Sequence, residues 1–339
     1  MPFGDVRVEA VTKALLSVRD LQVHFPVSSG GLLFRNYTPL KAVNGVSFDL
    51  NQGETLGIVG ESGCGKSTLA RAVLRLLPVT IGTVSWLGRS LSDRDGSEMK
   101  VVRQSLQIIF QDPLASLDPR MTAGNIIAEP LKNFRPDLSK SDIRLQVEAM
   151  LERVGLLPQM INRYPHEFSG GQCQRIGIAR AMILRPKLVV CDEPVSALDV
   201  SIQAQVINLL MELQKEFGLS LIFISHDLSV VRHISHRVMV LYLGKVMELA
   251  SRDEVYSDPK HPYTKALIAA VPIPDPDKER AKPLAVLEGE LPSPLSPPSG
   301  CVFRTRCSKA TSLCADEIPH LEVTDGRHTV ACHHWRDWE

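Results

Sequence analysis

The chain has 339 residues, 44% of them hydrophobic, which supplies a large buried core and excludes a globally disordered chain. Its 38 basic and 38 acidic residues cancel to a formal net charge of zero, without the basic surplus of a nucleic-acid binder, so nucleic acid is not among the expected partners. No uninterrupted apolar run approaches the length of a membrane-spanning helix, and Met1 to Arg7 lack the apolar core of a secretory signal. The expectation is a cytosolic chain that works at a membrane only through partners.

Residues 15–24 and 41–50 alternate apolar and polar, which predicts antiparallel strands joined by a Ser-, Gly- and Pro-rich loop over 26–39. An apolar β-type run, Thr55 to Val59, then leads into Gly60-Glu61-Ser62-Gly63-Cys64-Gly65-Lys66-Ser67-Thr68, and the helical pattern Leu69–Leu74 follows. This is the P-loop pattern in the strand–loop–helix context it needs. Glycines let the backbone curl so that several N–H groups face one phosphate chain, and the next helix adds its positive end. Lys66 is placed to reach the β- and γ-phosphates of ATP and Ser67 to ligate Mg²⁺.

Residues 112–182 lack a strong strand pattern and read as a helical insertion, Asp142–Val154 being the clearest helix. A short buried strand at 187–191 ends in Asp192-Glu193-Pro194. A strand of this kind delivers a carboxylate beside the P-loop, so Asp192 is the expected Mg²⁺ ligand and Glu193 the group that polarises the attacking water. Val206, Leu209, Leu210 and Leu213 form an amphipathic helix, and 219–224 form another buried strand. Strands alternating with helices imply a parallel sheet with the P-loop at its carboxyl edge. Strand-like alternation returns over 237–249 around Gly244, and the chain becomes proline-rich from about 258. The expected domains are 1–257, an ATPase core, and 258–339, a C-terminal extension.

Cys301, Cys307, Cys314 and Cys332 crowd into that extension with the spacing C-x5-C-x6-C-x17-C. In a cytosolic chain such a group suits a metal better than disulfides, although the spacing differs from the usual zinc pairs. Zinc and packed free thiols both remain open on the residues alone.

Phe168-Ser169-Gly170-Gly171-Gln172 resembles the signature sequence of ABC-transporter ATPases, with Phe168 where the family usually has Leu. Other elements match that family in order. Gln111 resembles the Q-loop, Ser196-Ala197-Leu198-Asp199 the D-loop, and His226 the switch histidine that holds the γ-phosphate and water. Phe110 to Arg120, His166 to Arg175 and His261-Pro262-Tyr263-Thr264 resemble the oligopeptide and dipeptide importer branch. The resemblance implies an α/β P-loop NTPase with a RecA-like parallel core, an antiparallel β subdomain, the helical insertion and a small Cys-rich extension. It implies that Ser169, Gly170, Gly171 and Gln172 close on the ATP of a second, different ATPase subunit, with Asp199 at the interface. It also implies two membrane permeases, an extracytoplasmic peptide-binding protein, and residence at the cytoplasmic face of a bacterial inner membrane. An aromatic residue should stack on adenine, and Phe25 fits better than Tyr37. Gln111 would contact Mg²⁺ and water, and the four tail cysteines would hold a four-iron, four-sulfur cluster. The expected activity is ATP hydrolysis coupled to oligopeptide uptake, with dipeptides, glutathione or nickel chelates as alternative cargo. A soluble ABC ATPase acting on nucleic acid or ribosomes is the competing class, and an ATP-binding module without turnover is the third. The single P-loop and Glu193 argue against these two in turn.

Overall fold

The computed structural model describes residues 14–29, 36–272, 275, 277, 280, 289–324 and 326–337. Pro274, Pro276 and Pro283 of the proline-rich connection lie outside the described residues.

Two long strands, β1 (Leu16–Ser29) and β2 (Asn36–Leu50), pair antiparallel from Leu16↔Leu50 to Ser29↔Asn36. The stretch 26–39 was expected as loop, but its described residues continue both strands. Pairing between backbones outweighs the Ser and Pro content here, because Pro26 and Pro39 face each other at register positions of a two-stranded ribbon. β4 (Ile81–Trp86) pairs with the other edge of β1, and β5 (Arg89–Ser90) with β4, which gives the antiparallel subdomain in the order β2-β1-β4-β5.

The second sheet carries the nucleotide-site motifs. β3 (Thr55–Val59), β6 (Leu106–Ile109), β7 (Leu188–Asp192), β8 (Ser220–Ile224) and β9 (Arg237–Tyr242) run parallel. The order continues through antiparallel β10 (Lys245–Ser251) to β12 (Thr329–Val330) and β11 (Glu322–Val323), giving β11-β12-β10-β9-β3-β8-β7-β6. Alternate residues of one strand enter different cores. Val189 and Cys191 of β7 pack with the helical side, and Leu188 and Val190 pack with the antiparallel subdomain. That two-sided burial is why these strands read as continuous apolar runs.

α1 (Lys66–Val73) follows the P-loop, and α2 (Gly96–Ser105) precedes β6. The insertion contains α3 (Ala123–Phe134), α4 (Lys140–Arg153) and α5 (Gly170–Met182), as its helical pattern predicts. α6 (Val200–Phe217) buries Val206, Leu209, Leu210 and Leu213. α7 (Leu228–Ile234), α8 (Arg252–Ser257) and α9 (Pro262–Ala269) complete the frame around the sheet edge.

The C-terminal segment is built into this frame. β12 pairs with β10 at Glu248↔Val330 and Leu249↔Thr329. Glu248, fully buried, accepts hydrogen bonds from the Lys260 and His261 backbone N–H groups at 2.7 and 2.9 Å and lies 2.7 Å from His328 Nε2. Burial works against this carboxylate, but those bonds outweigh it and hold Glu248 below its ordinary range. Tyr242, Tyr263 and Phe303 meet nearby at ring-centroid distances of 4.8 to 5.4 Å.

Candidate active site

The P-loop curls because three of its glycines take positive φ: Gly60 at 150°, Gly63 at 79° and Gly65 at 104°. Two of them also admit another backbone. A Cβ on Gly60 would stand 2.2 Å from the Leu241 carbonyl oxygen, and one on Gly65 would stand 2.1 Å from that of Ala42. No L-residue with a side chain meets either demand. Gly65 forms the N-cap of α1, so the loop's amides and the helix end face one cavity.

That cavity has a volume of about 550 Å³ and is bounded by Ser62, Gly63 and Gly65 to Thr68 of the P-loop, by Gln111, Glu193 and His226, and by Phe25, Leu40 and Ala42. Lys66 is 4% exposed, and its Nζ donates to the Gly60 and Glu61 carbonyl oxygens at 2.8 and 3.0 Å. An ammonium held by two carbonyls and, at 4.0 Å, the Cys64 sulfur, at the edge of an anion-sized cavity, is placed to exchange them for phosphate oxygens. Ser67 Oγ donates to Asp192 Oδ1 at 2.7 Å, so two of the three expected Mg²⁺ ligands, one from α1 and one from the end of β7, converge, while the third, Gln111, donates to Glu193. Burial raises the Asp192 pKa, partly offset by the Ser67 hydrogen bond and the nearby Arg71 and Lys66 charges.

Glu193 is the junction of the polar wall. Its Oε2 accepts a 3.1 Å hydrogen bond from Gln111 Nε2 and lies 3.3 Å from His226 Nδ1. Three side chains from three sheet-edge loops therefore share one oxygen. The Glu193 backbone takes φ 48°, a left-handed conformation that is costly for a residue with a Cβ, and its N–H donates to the Ile224 carbonyl at 3.1 Å. The fold thus aims this carboxylate into the cavity at some conformational expense.

Of the aromatic candidates, Phe25 lines the cavity, while Tyr37 is 62% exposed and lies outside it. Gly60, Glu61 and Cys64 belong to the loop but not to the cavity lining. Cys64 is buried beneath it, and burial pushes its thiol up.

The signature residues lie elsewhere. Ser169 and Gln172 cap their own helix α5: Ser169 Oγ accepts from the Gln172 N–H at 3.4 Å, and Gln172 Oε1 accepts from the Ser169 N–H at 3.0 Å. Gly171 lets α5 approach α6, since a Cβ there would stand 2.6 Å from Ile202 Cγ2. Asp199 is the N-cap position of α6 without a side-chain capping bond. Neither Ser169, Gly170, Gly171, Gln172 nor Asp199 lines the P-loop cavity.

The tail cysteines do not meet the metal expectation. Cys301, Cys307, Cys314 and Cys332 are not joined by disulfides, and Cys301 and Cys314 are linked through a 2.8 Å backbone hydrogen bond. Burial, then the other three thiols, pushes Cys301 up to about 11. Their donor chemistry suits iron or zinc, but among the described residues no group of three or more His, Cys, Asp or Glu is arranged to hold a metal ion. The expected four-iron cluster is thus without structural support, and zinc equally so.

Residues that the sequence did not connect with this site are Leu40 and Ala42 of β2 and, behind the P-loop, Arg306 and Tyr263. Tyr263 sits within the His-Pro-Tyr-Thr motif, but nothing in its sequence context points to the P-loop, and Arg306 lies in a segment with no local signal.

A P-loop at the carboxyl edge of a parallel sheet, with a paired Ser–Asp and a Gln–Glu–His wall, defines an ATP-hydrolysing nucleotide-binding cassette. The ABC transporter model matches residues 43–196, and the model for the C-terminal region of oligopeptide/dipeptide transporters matches 247–314. The chain is 63% identical over 321 residues to the oligopeptide transport ATP-binding protein OppF of Salmonella typhimurium, covering 94% of this chain and 96% of that one. It is 53% identical to the oligopeptide transport ATP-binding protein AppF of Bacillus subtilis, covering 95% of this chain and 97% of that one. It is 49% identical to the di/tripeptide transport ATP-binding protein DppF of Pseudomonas aeruginosa, covering 95% and 98%. Among solved structures, the dimeric ATP-binding cassette MJ0796 in a post-hydrolysis state with ADP and Pi superposes with a TM-score of 0.61 at 28% identity, over 70% of this chain and 98% of that one. The chain belongs to the ABC transporter ATPases, in the group of the oligopeptide/dipeptide transporters. It is an ATP hydrolase that works with ATP and Mg²⁺.

Proposed function

We propose that this chain drives oligopeptide uptake across the cytoplasmic membrane by binding and hydrolysing ATP. The observation that carries the catalytic part is the meeting of Gln111, Glu193 and His226 at one carboxylate oxygen beside the P-loop cavity. Ser67 and Asp192 would hold Mg²⁺, which when bound neutralises phosphate charge. Lys66 and the P-loop amides bind the β- and γ-phosphates, Phe25 stacks on the base, and Gln111 and His226 fix the Glu193 carboxylate that orients water for in-line attack. Glu193→Gln keeps the hydrogen-bonding shape but removes the base. It should lower hydrolysis by about 10²- to 10⁴-fold while retaining ATP in an associated dimer, and undiminished turnover would refute the assignment.

The signature residues Ser169, Gly170, Gly171 and Gln172 stand outside their own chain's cavity, which supports a site completed by a second ATPase subunit. That subunit is a different chain in this reading, and Asp199 lies at their interface. Two membrane permeases and an extracytoplasmic peptide-binding protein complete the importer. No helix among the described residues is long and apolar enough to cross a membrane, which fits a peripheral place on the cytoplasmic face. Residues 1–257 form the cassette in this proposal and 258–339 its extension.

Oligopeptides are preferred over di- and tripeptides as cargo because identity is 63% to an oligopeptide protein and 49% to a di/tripeptide one. Uptake of di- to pentapeptides by a strain lacking the gene tests this, and unchanged uptake would refute it. The finer reading of the tail is that Cys301, Cys307, Cys314 and Cys332 hold a four-iron, four-sulfur cluster. What favours it is the gathering of the thiols in the extension, with Cys301 and Cys314 linked through a 2.8 Å backbone hydrogen bond. About four irons and four sulfides per chain after purification without oxygen would support it. Stoichiometric zinc would assign the thiols to that metal, and neither metal would leave packed thiols.

A further inference from the structure

The P-loop residue Glu61 is held from behind by the C-terminal extension at two points. Arg306 Nη1 donates to both carboxylate oxygens of Glu61, at 3.0 and 2.8 Å, and the Glu61 backbone N–H donates to Tyr263 Oη at 2.9 Å. The same residue's carbonyl accepts from Lys66 Nζ at 3.0 Å, so a continuous run of polar contacts leads from the extension to the phosphate-binding ammonium. The guanidinium is well enclosed: the Arg306 side chain is 8% exposed and lies 6.0 Å from the Tyr242 ring centroid. Tyr263 is fully buried against Tyr242 and Phe303. Enclosure of the guanidinium reduces the solvent screening that makes surface ion pairs weak, although the Glu61 side chain keeps 26% of its surface exposed.

A carboxylate in a phosphate-binding loop is an electrostatic liability. Glu61 adjoins Ser62, which lines the cavity, and an unpaired negative charge there repels the incoming nucleotide. We infer that Arg306 and Tyr263 of the C-terminal extension are positioning residues of the ATP site, which neutralise Glu61 and fix its peptide so that Lys66 and the loop amides stand ready for phosphate. The inference rests on the cavity being the ATP site. It makes the extension a working part of the nucleotide site.

The test measures ATP binding to the purified full-length chain and ATP KM and kcat in the assembled transporter. Arg306→Ala should weaken ATP binding and raise its KM roughly tenfold with kcat at saturation little changed. Glu61→Gln in the Arg306→Ala background should recover most of that loss, because the repelling charge is gone. A merely structural staple would show no such recovery. Tyr263→Phe removes one hydroxyl and keeps the ring packing, so it should fold normally and raise the KM by a smaller factor. Lys66→Ala serves as the control for the site itself. If it abolishes ATP binding while folded Arg306→Ala and Tyr263→Phe bind ATP as the parent does, the inference is overturned and the ATP site stands. If Lys66→Ala also binds normally, the site assignment is what fails. Failure of Glu61→Gln to recover binding, with Tyr263→Phe unaffected, would likewise overturn the inference.

Discussion

His261 gives the extension a pH-dependent attachment whose size follows from its surroundings. It is 1% exposed and forms the N-cap of α9, its Nδ1 accepting the Tyr263 N–H at 3.0 Å. Its ring also stands 5.5 Å from that of Phe303. Burial depresses its pKa to about 4 from the ordinary 6.5, with the Glu248 charge only partly opposing. A protonated Nδ1 could not accept the capping bond, so the folded chain holds the neutral form. The unfolded chain takes up the proton below 6.5, and stability therefore falls as pH drops from 6.5 towards 4. At pH 5 the two values give a loss of about 2 kcal/mol relative to pH 7.5, or roughly 2–5 °C in melting temperature. His261→Asn keeps an acceptor suited to an N-cap but cannot titrate. Its absolute stability should fall because the ring contact with Phe303 is lost, while its melting temperature should decline less steeply between pH 7.5 and 5 than the parent's. Thermal unfolding followed by circular dichroism at several pH values measures both slopes. Equal slopes would refute the argument that a buried neutral His261 anchors α9. Glu248, held below its ordinary range, loses its own contribution as pH falls through that lower range, a region more acidic than the His261 window.

Phe25→Ala should raise the KM for ATP roughly tenfold, as the loss of one base–aromatic stack implies, while Tyr37→Ala should stay within about twofold because Tyr37 lies outside the cavity. Steady-state ATPase titrations decide between the two residues, and the reverse ranking would assign adenine to Tyr37. Gly65→Ala should abolish ATP binding, since φ 104° and a 2.1 Å approach to the Ala42 carbonyl leave the Cβ no room without moving β2. Calorimetric titration with ATP reads this, and parental affinity would show that the loop tolerates another path.

The candidate nucleotide site was legible in the sequence because its motifs are local. A strand, a glycine-rich turn and a helix start are consecutive in the chain, and Asp192-Glu193 closes the apolar strand β7 directly. The parallel sheet was legible for a related reason, since strands buried on both faces are short apolar runs. The ribbon was not. Residues 26–29 and 36–39 lack a strand-like composition, and their pairing depends on a facing backbone that composition does not encode. The attachment of the extension was hidden more deeply. Arg306 and Glu61 are 245 positions apart, and Glu248 and His328 are 80 apart. Each looks like an ordinary surface charge until the fold brings the pair together and buries it. The use of the four tail cysteines was not legible either, because spacing gathers thiols without fixing a ligand geometry, and among the described residues no three such groups are arranged to hold a metal.

The position of the signature helix leads to a prediction that separates this chain's two contributions. The P-loop cavity gathers the groups proposed to bind phosphate and orient water, yet it takes no residue from α5. The N-terminus of α5, capped by Ser169 and Gln172 and packed on α6 through Gly171, is the second anion site of the proposal. If that end serves the ATP held by a second subunit, its loss damages the partner's site and spares this chain's own nucleotide binding. Ser169→Ala removes the side-chain acceptor at a cost of about 1 kcal/mol to the helix cap, which a core of this size absorbs. ATP binding by the isolated variant should therefore match the parent's. Turnover by the assembled transporter should drop, because one of its composite sites lacks a hydroxyl facing the γ-phosphate. Weakened ATP binding by the isolated variant would place Ser169 at its own chain's nucleotide and remove the reason for a shared site.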